Sequence, residues 1–241
     1  MMSRATPTRR TVVTAQCAFS VGFCGAGSPV LLIPGGVGTS ADWDATAAAI
    51  GEAGRAVIIP DLPGTGGSGT PREGYDRAIL ARSLVVLVKA LGHERLAVVG
   101  HGIGGFLAIE MAAATPYVVE RLVLVAPTIG GMGERVRRLT ADEAMAEQAL
   151  YQQASTDEPL INHLLGGAAR TDDGPLLGAI ECPTLIVRGD SDATFGAERA
   201  RAAGRLIGNA FEATIEGVGH RVHAQRPAEF VDLIVRFLSG R

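Results

Sequence analysis

The chain has 241 residues, which is long enough for one large α/β domain with a sizeable core. Hydrophobic residues make up 47% and charged residues 20%, as in an ordinary soluble globular protein. The net charge of -3 argues against a nucleic-acid partner or an anionic membrane surface. No segment approaches the roughly 20 apolar residues of a membrane span, and the cysteines lack metal-ligand spacing. We therefore expect a cytoplasmic protein, monomeric or homodimeric, without a metal or a cofactor.

Short apolar segments alternate with longer segments of helical periodicity along the chain. This alternation predicts an α/β fold with a doubly wound, mostly parallel sheet of about eight strands and helices on both faces. The predicted strands are residues 11–16, 18–23, 30–33, 57–59, 96–99, 122–125, 185–187 and 211–215, of which the first two form a hairpin. The predicted helices are residues 41–52, 75–91, 103–115, 195–207 and 227–238.

One interval lacks a convincing strand between the sixth and the seventh predicted strands. Its helical patterns, at residues 134–153 and 158–165, lie between turn-forming segments. Long excursions between strands are commonly lids when they leave the carboxyl end of a strand, where open α/β sheets bind ligands. We therefore predict a core of residues 1–126 and 182–241 and a small helical lid insertion of residues 127–181, although two extra surface helices would also fit.

The most informative segment follows the fifth predicted strand and precedes an apolar helix. A strand, a tight glycine-rich turn and a helix form the setting of the Gly-x-Ser-x-Gly nucleophile elbow. The segment reads Gly100-His101-Gly102-Ile103-Gly104, so glycine occupies the nucleophile position. Ser68 and Ser83 are the serines that could replace the missing hydroxyl. The topology of the α/β-hydrolases, which this elbow resembles, implies that Ser68 lies in a distant turn and Ser83 on an outer helix, so we do not expect either to do so.

Two further candidates follow the elbow in the chain. Asp190 and Asp192 both follow the seventh predicted strand as candidate acids, and His220 lies in a loop before the last helix. The spacing typical of the α/β-hydrolases, which this chain resembles, favours Asp192. A loop histidine suits proton transfer near neutral pH, and an aspartate suits the task of holding its tautomer. Elbow, acid and histidine follow one another in the order of α/β-hydrolases.

In these motifs the sequence resembles the α/β-hydrolase family over nearly its whole length. Residues 31–38, LLIPGGVG, resemble the oxyanion loop of the family, with Pro34 in place of the usual histidine. Residues 60–68, PDLPGTGGS, resemble its Asp-x-x-Gly-x-Gly-x-Ser turn, with Thr65 where histidine is common. The segment Gly217-Val218-Gly219-His220, followed by His223, resembles its ending. The fold hosts many chemistries, so the resemblance implies a fold and a site but no substrate.

The resemblance also implies roles for the residues around the elbow. Backbone N–H groups of Gly36 and Ile103 would form the oxyanion hole, where side-chain identity matters little. Val37, His101 and Met132 would line the substrate-binding surface, with His101 in a packing role rather than a catalytic one. The expected partner is a small-molecule substrate.

Glycine at the nucleophile position leaves four functions open. Deleting a triad nucleophile costs on the order of a million-fold, so ordinary serine-hydrolase turnover is excluded. The chain is then a mutated or naturally diverged hydrolase, or an enzyme in which His220 activates water directly. Alternatively, it is a non-hydrolytic acid/base catalyst (an isomerase, epimerase, lyase or cyclase) that uses the His220–Asp192 pair. The fourth function is ligand binding without catalysis, against which the retained acid/base pair counts. We favour hydrolase chemistry on an ester, lactone or thioester.

Overall fold

A computed structural model describes residues 7–35, 39–132 and 171–240 of the chain. The strands in these ranges are β1 (Thr8–Val13), β2 (Ala18–Cys24), β3 (Ser28–Ile33), β4 (Arg55–Pro60), β5 (Leu96–His101), β6 (Val119–Val125), β7 (Thr184–Gly189) and β8 (Ala210–Ile215). The helices are α1 (Asp44–Glu52), α2 (Arg77–Ala90), α3 (Ile103–Ala114), α4 (Gly174–Gly178), α5 (Ala197–Leu206), α6 (Val222–Gln225) and α7 (Pro227–Leu238), and a 3₁₀ turn, Ser40–Trp43, precedes α1.

The eight described strands form one sheet in the order β1-β2-β4-β3-β5-β6-β7-β8. The pairs from β4 through β3 and β5 to β8 are parallel, whereas β2 pairs antiparallel with both β1 and β4. The carboxyl ends of β3, β5, β7 and β8 therefore meet at one edge of the sheet. The loops that carry the candidate site residues all leave from that edge, where open α/β sheets bind ligands.

Two apolar cores hold the helices on opposite faces of the sheet. One core combines alternate residues of the central strands with α2, α3, α4 and α5. The other combines the intervening strand residues with Trp43, α1 and α7. Alternate strand residues point to opposite faces, so continuous apolar strands such as β5 supply both cores at once. The prediction of a mostly parallel sheet with helices on both faces is confirmed.

Two predicted elements at the start of the chain are wrong in detail. The first strand is Thr8–Val13, not residues 11–16, because Thr14 turns the chain. Its N–H and its hydroxyl both donate to the Cys17 carbonyl, at 3.0 and 2.9 Å, and this closes the hairpin. The helix predicted over residues 41–52 begins as the 3₁₀ turn, and α1 proper starts at Asp44.

The buried carboxylate of Asp173 joins the described residues that precede and follow residues 133–170. Arg77 of α2 donates to Asp173 at 2.6 Å, and the second carboxylate oxygen of Asp173 accepts the N–H of Gly130 at 2.6 Å. Asp173 is fully buried. The predicted lid helices, at residues 134–153 and 158–165, lie outside the described residues, so the lid remains a prediction.

Within those same ranges, no helix is both long and apolar enough to span a membrane.

Candidate active site

The turn between β5 and α3 has the backbone of a nucleophile elbow. Gly102 has φ 53° and ψ -120°, a conformation that costs a residue with a side chain about 1–3 kcal/mol. Its N–H donates to the Val125 carbonyl at 3.1 Å, and its carbonyl accepts the N–H of Thr128 at 2.9 Å. The turn is therefore fastened to the end of β6 by main-chain bonds that need no side chain at position 102.

The glycines on either side of this position are needed for close packing. A Cβ atom on Gly100 would collide with the Gly104 carbonyl, and one on Gly104 would collide with the Ile33 carbonyl. Strand β5, helix α3 and the end of β3 can therefore approach one another only when both positions are glycine. Ile103 is the first residue of α3, and N–H groups of the first turn have no acceptor within their own helix. The Ile103 N–H is thus suited to binding a developing oxyanion.

The structure brings together His220 and Asp192, which lie 28 residues apart. His220 Nδ1 lies 3.1 Å from Asp192 Oδ2, and the Asp192 side chain is fully buried. The two loops are joined by their main chains, because the N–H of Ser191 donates to the Val218 carbonyl at 3.0 Å. Asp190, the competing acid, accepts the Val218 N–H at 3.2 Å and supports this loop.

Thr194, which the sequence did not indicate, completes this cluster. Its hydroxyl donates to Asp192 Oδ1 at 2.8 Å and lies 2.9 Å from His220 Nδ1. Oδ1 also accepts the N–H groups of Thr194 at 2.8 Å and of Phe195 at 3.2 Å. No sequence motif points to Thr194, because its position depends on how residues 192–195 fold around the carboxylate.

The charge state of Asp192 follows from these bonds. Burial raises the pKa of Asp192, but the hydrogen bonds and charge of His220 and the two bonds from Thr194 outweigh burial, and the net pKa lies below its ordinary value. Asp192 is therefore a carboxylate near neutral pH and can only accept hydrogen bonds. It requires the proton of the neutral His220 ring to be on Nδ1, which leaves Nε2 as the basic atom.

Two further histidine rings, those of His101 and His223, pack behind this pair. His101 Nε2 donates to the His220 carbonyl at 3.1 Å, and its ring centroid lies 4.7 Å from that of His220. The His223 ring lies at 4.6 Å from the His101 ring and stacks on Trp43 at 4.2 Å. A Cβ atom on Gly35 would lie 2.8 Å from His101 Nδ1, so the end of β3 packs closely against this ring.

Both rings behind His220 are neutral near pH 7. Burial is the largest of the causes that hold the pKa of His101 well below its ordinary value. Burial, followed by the charges of Arg221 and His220, lowers the pKa of His223 to about 3. Neither ring therefore adds a charge beside His220.

The remaining predicted site residues are placed as follows. Gly36 and Val37 lie outside the described residues, so their oxyanion and substrate-binding roles stay predictions. Met132 is buried in the core on the α3 side of the sheet, and His101 is buried with its Nε2 directed at the main chain of His220. Their substrate-binding roles also stay predictions.

Neither of the two serines considered as replacements is near the pair. Ser68 donates to the Asp61 carbonyl at 2.8 Å, and Ser83 donates to the Ile79 carbonyl of its own helix at 2.8 Å. Across residues 7–35, 39–132 and 171–240, no three His, Cys, Asp or Glu side chains are grouped so that they could hold a metal ion.

Comparison with protein-family models matches residues 28–179 to the alpha/beta hydrolase fold family. The chain belongs to the α/β hydrolase family. Similar α/β hydrolase relatives include the 2-hydroxy-6-oxo-6-phenylhexa-2,4-dienoate hydrolase of Comamonas testosteroni, 28% identical over 90% of each chain. The magnesium-chelatase 30 kDa subunit of Rhodobacter capsulatus is also 28% identical, over 89% of this chain and 88% of the relative.

Solved α/β hydrolase structures have the same fold. E-2-(acetamidomethylene)succinate hydrolase has a TM-score of 0.83 at 18% identity, with 98% of this chain and all 100% of that chain covered. A serine hydrolase involved in carbazole degradation has a TM-score of 0.80 at 22% identity, with 98% and 100% covered. At this level of identity, the likeness establishes the fold of this α/β hydrolase chain and nothing about its substrate.

Proposed function

We propose that this chain is an enzyme of hydrolase descent in which His220 activates a water molecule in front of Gly102. Its substrate is a small carbonyl compound, such as an ester, a lactone or a thioester. The observation that carries the proposal is the 3.1 Å contact between His220 Nδ1 and the buried Asp192 carboxylate. Membership of the family and the hydrolase among the relatives support hydrolase chemistry.

The reaction needs one base and one group that stabilises negative charge. The water oxygen bonds to the carbonyl carbon while its proton passes to Nε2 of His220, and the carbonyl electron pair moves onto the oxygen. The Ile103 N–H, together with the predicted donor Gly36, stabilises this oxyanion. When the bond to the leaving oxygen or sulfur breaks, that atom takes the proton from His220. Asp192 stabilises the imidazolium between these steps.

The absence of a side chain at Gly102 sets the scale of the expected rate. Without a nucleophile, binding and the oxyanion hole leave roughly 10³–10⁴-fold acceleration over water in serine proteases. A removed serine side chain frees room comparable to one water's share of liquid volume, about 30 Å³. We therefore expect slow turnover that depends on His220 and forms no covalent intermediate.

Non-hydrolytic acid/base chemistry is the alternative, favoured by the pairing of a retained base with a glycine at the nucleophile position. Removal of a proton beside a carbonyl needs the same base and the same oxyanion donor, but no nucleophile. The relatives do not decide between hydrolysis and this alternative, because a hydrolase and a magnesium-chelatase subunit have the same 28% sequence identity to this chain. With a lactone probe in D₂O, ring opening supports hydrolysis, whereas deuterium at the α-carbon of intact lactone supports the alternative.

The first test restores the hydroxyl with Gly102→Ser. We expect cleavage of p-nitrophenyl acetate to rise by at least about 10²-fold over the parent, because the proposed base, His220, contacts the Asp192 carboxylate. Gly102→Ala is the matched control, since it introduces the same backbone strain without a hydroxyl. Equal rates for the serine and alanine variants would show that no triad geometry is present.

The second test concerns the base in the parent chain. His220→Ala should remove the turnover that the parent shows toward ester or lactone probes. Tm measured on the same sample separates loss of the base from loss of the fold. Unchanged turnover in folded His220→Ala protein would rule out both forms of the proposal.

A further inference from the structure

Two acceptors, rather than one, face the Nδ1 atom of His220. Asp192 Oδ2 lies at 3.1 Å and the Thr194 hydroxyl at 2.9 Å. The single proton of that hydroxyl is directed to Asp192 Oδ1, at 2.8 Å. A hydroxyl that donates its proton to one neighbour presents a lone pair to another. The Thr194 oxygen therefore receives a hydrogen bond from Nδ1–H of His220.

We propose that Thr194 is a positioning residue for His220. Together with Asp192, it fixes the tautomer and the orientation of the His220 ring. This inference rests on the proposed function of His220 as the base. The hydrogen bond that His220 Nδ1–H shares between Asp192 and Thr194 can be tested without measuring enzyme activity.

The division of bonds around Asp192 explains why a second acceptor matters. Oδ1 is held by three donors from Thr194 and Phe195, whereas Oδ2 faces His220. The carboxylate is thus fixed to its own loop, and the loop also supplies the hydroxyl beside the ring. If the ring rotated by half a turn, Nδ1–H would lose both acceptors at once. The hydroxyl raises the cost of that rotation without adding a charge.

The hydroxyl also acts on the protonated ring. Hydrogen bonds to charged groups are stronger than those between neutral groups, so an acceptor at Nδ1 favours the imidazolium over the neutral imidazole. Asp192 is the charged group in direct contact with His220. The rings of His101 and His223 beside it are buried and uncharged, and Arg221, the next residue in the chain, pairs with Asp42. Loss of the hydroxyl should therefore weaken the base while leaving the Asp192 contact in place.

The test compares Thr194→Val with Thr194→Ser in the full-length chain. Nitrogen-15 NMR of the histidine side chains identifies the protonated ring atom of His220 and measures how fast Nδ1–H exchanges with water. We expect exchange about tenfold faster in Thr194→Val, equivalent to about 1.4 kcal/mol, and restored protection in Thr194→Ser. Thr184→Val is the matched control, because Thr184 is a buried threonine whose hydroxyl bonds to the Cys182 carbonyl away from the site.

A second readout uses Gly102→Ser protein with p-nitrophenyl acetate. Adding Thr194→Val should move the acid limb of kcat/KM to lower pH by about one unit, and adding Thr194→Ser should leave the limb in place. A lower Tm with unchanged exchange and an unmoved limb would overturn the inference, since it would reduce Thr194 to a loop-stabilising residue. Inactive Gly102→Ser protein with the expected exchange data would instead count against the proposed function alone.

Discussion

Acid should destabilise this protein through the buried ring of His223, well above the pH at which carboxylates titrate. The ring is 2% exposed, stacks on Trp43 at 4.2 Å, and its Nδ1 has no hydrogen-bond partner among residues 7–35, 39–132 and 171–240. Its pKa in the folded chain is about 3, against an ordinary 6.5. Because the folded pKa is lowered, the unfolded state binds more protons, and stability is lost as the pH falls below 6.5.

The size of the effect follows from the two pKa values. Between pH 7 and pH 5, the unfolded ring takes up most of a proton and the folded ring takes up almost none. Integration gives a loss of about 2 kcal/mol, because the folded ring stays neutral throughout this window. The lowered pKa of His101 adds a loss in the same direction. Asp192 does not contribute in this window, because its lowered pKa lies below 3.8 and its effect begins only there.

Urea unfolding at pH 7 and pH 5 measures this loss. Trp43 is the only tryptophan of the chain and contacts His223, so its fluorescence reports on the region in question. His223→Phe and His223→Gln differ in volume and polarity but share the loss of the titrating group. Both should reduce the difference between the two pH values by about 2 kcal/mol, whatever their stability at pH 7. If the difference in both variants equals that of the parent, the reasoning about a buried neutral ring is wrong.

Two further predictions concern charges in the core. Asp192→Asn in Gly102→Ser protein should reduce esterase kcat by on the order of 10⁴, because an amide does not enforce the Nδ1–H tautomer of His220. Asp190→Asn is the control, because Asp190 does not contact His220. Equal losses of kcat in the two variants would contradict the proposal that Asp192 orients His220. Arg77→Met should lower the free energy of unfolding by about 3–5 kcal/mol, since it leaves the Asp173 carboxylate buried without the positive charge that pairs with it. Arg82→Met on the same helix is the control, because it breaks an exposed ion pair with Glu73. In the same urea titration it should lower the free energy of unfolding by no more than about 1 kcal/mol. Similar losses for both variants would refute the argument that burial makes the Arg77–Asp173 pair important.

The fold class and the chain order of the candidate site residues follow from local patterns in the sequence. Continuous apolar strands such as β5 are buried on both faces, and that pattern is local enough to be read without coordinates. The sequence pattern around Gly100 and Gly104 also predicted a tight turn. In the structure both positions must be glycine, because neighbouring carbonyl groups approach their backbones closely. The boundaries at Thr14 and at the 3₁₀ turn were missed, because individual hydrogen bonds decide them and periodicity does not record such bonds.

Which groups meet at the site depends on contacts between residues that are distant in the chain. Asp190 and Asp192 are two residues apart and chemically identical, yet one supports a loop and the other contacts His220. No motif points to Thr194, and the motifs that contain His101 and His223 do not indicate what their buried rings do, because these roles arise from burial and from partners distant in sequence. Desolvation and hydrogen bonding set the protonation of a side chain, and both depend on the neighbours that folding assembles around it.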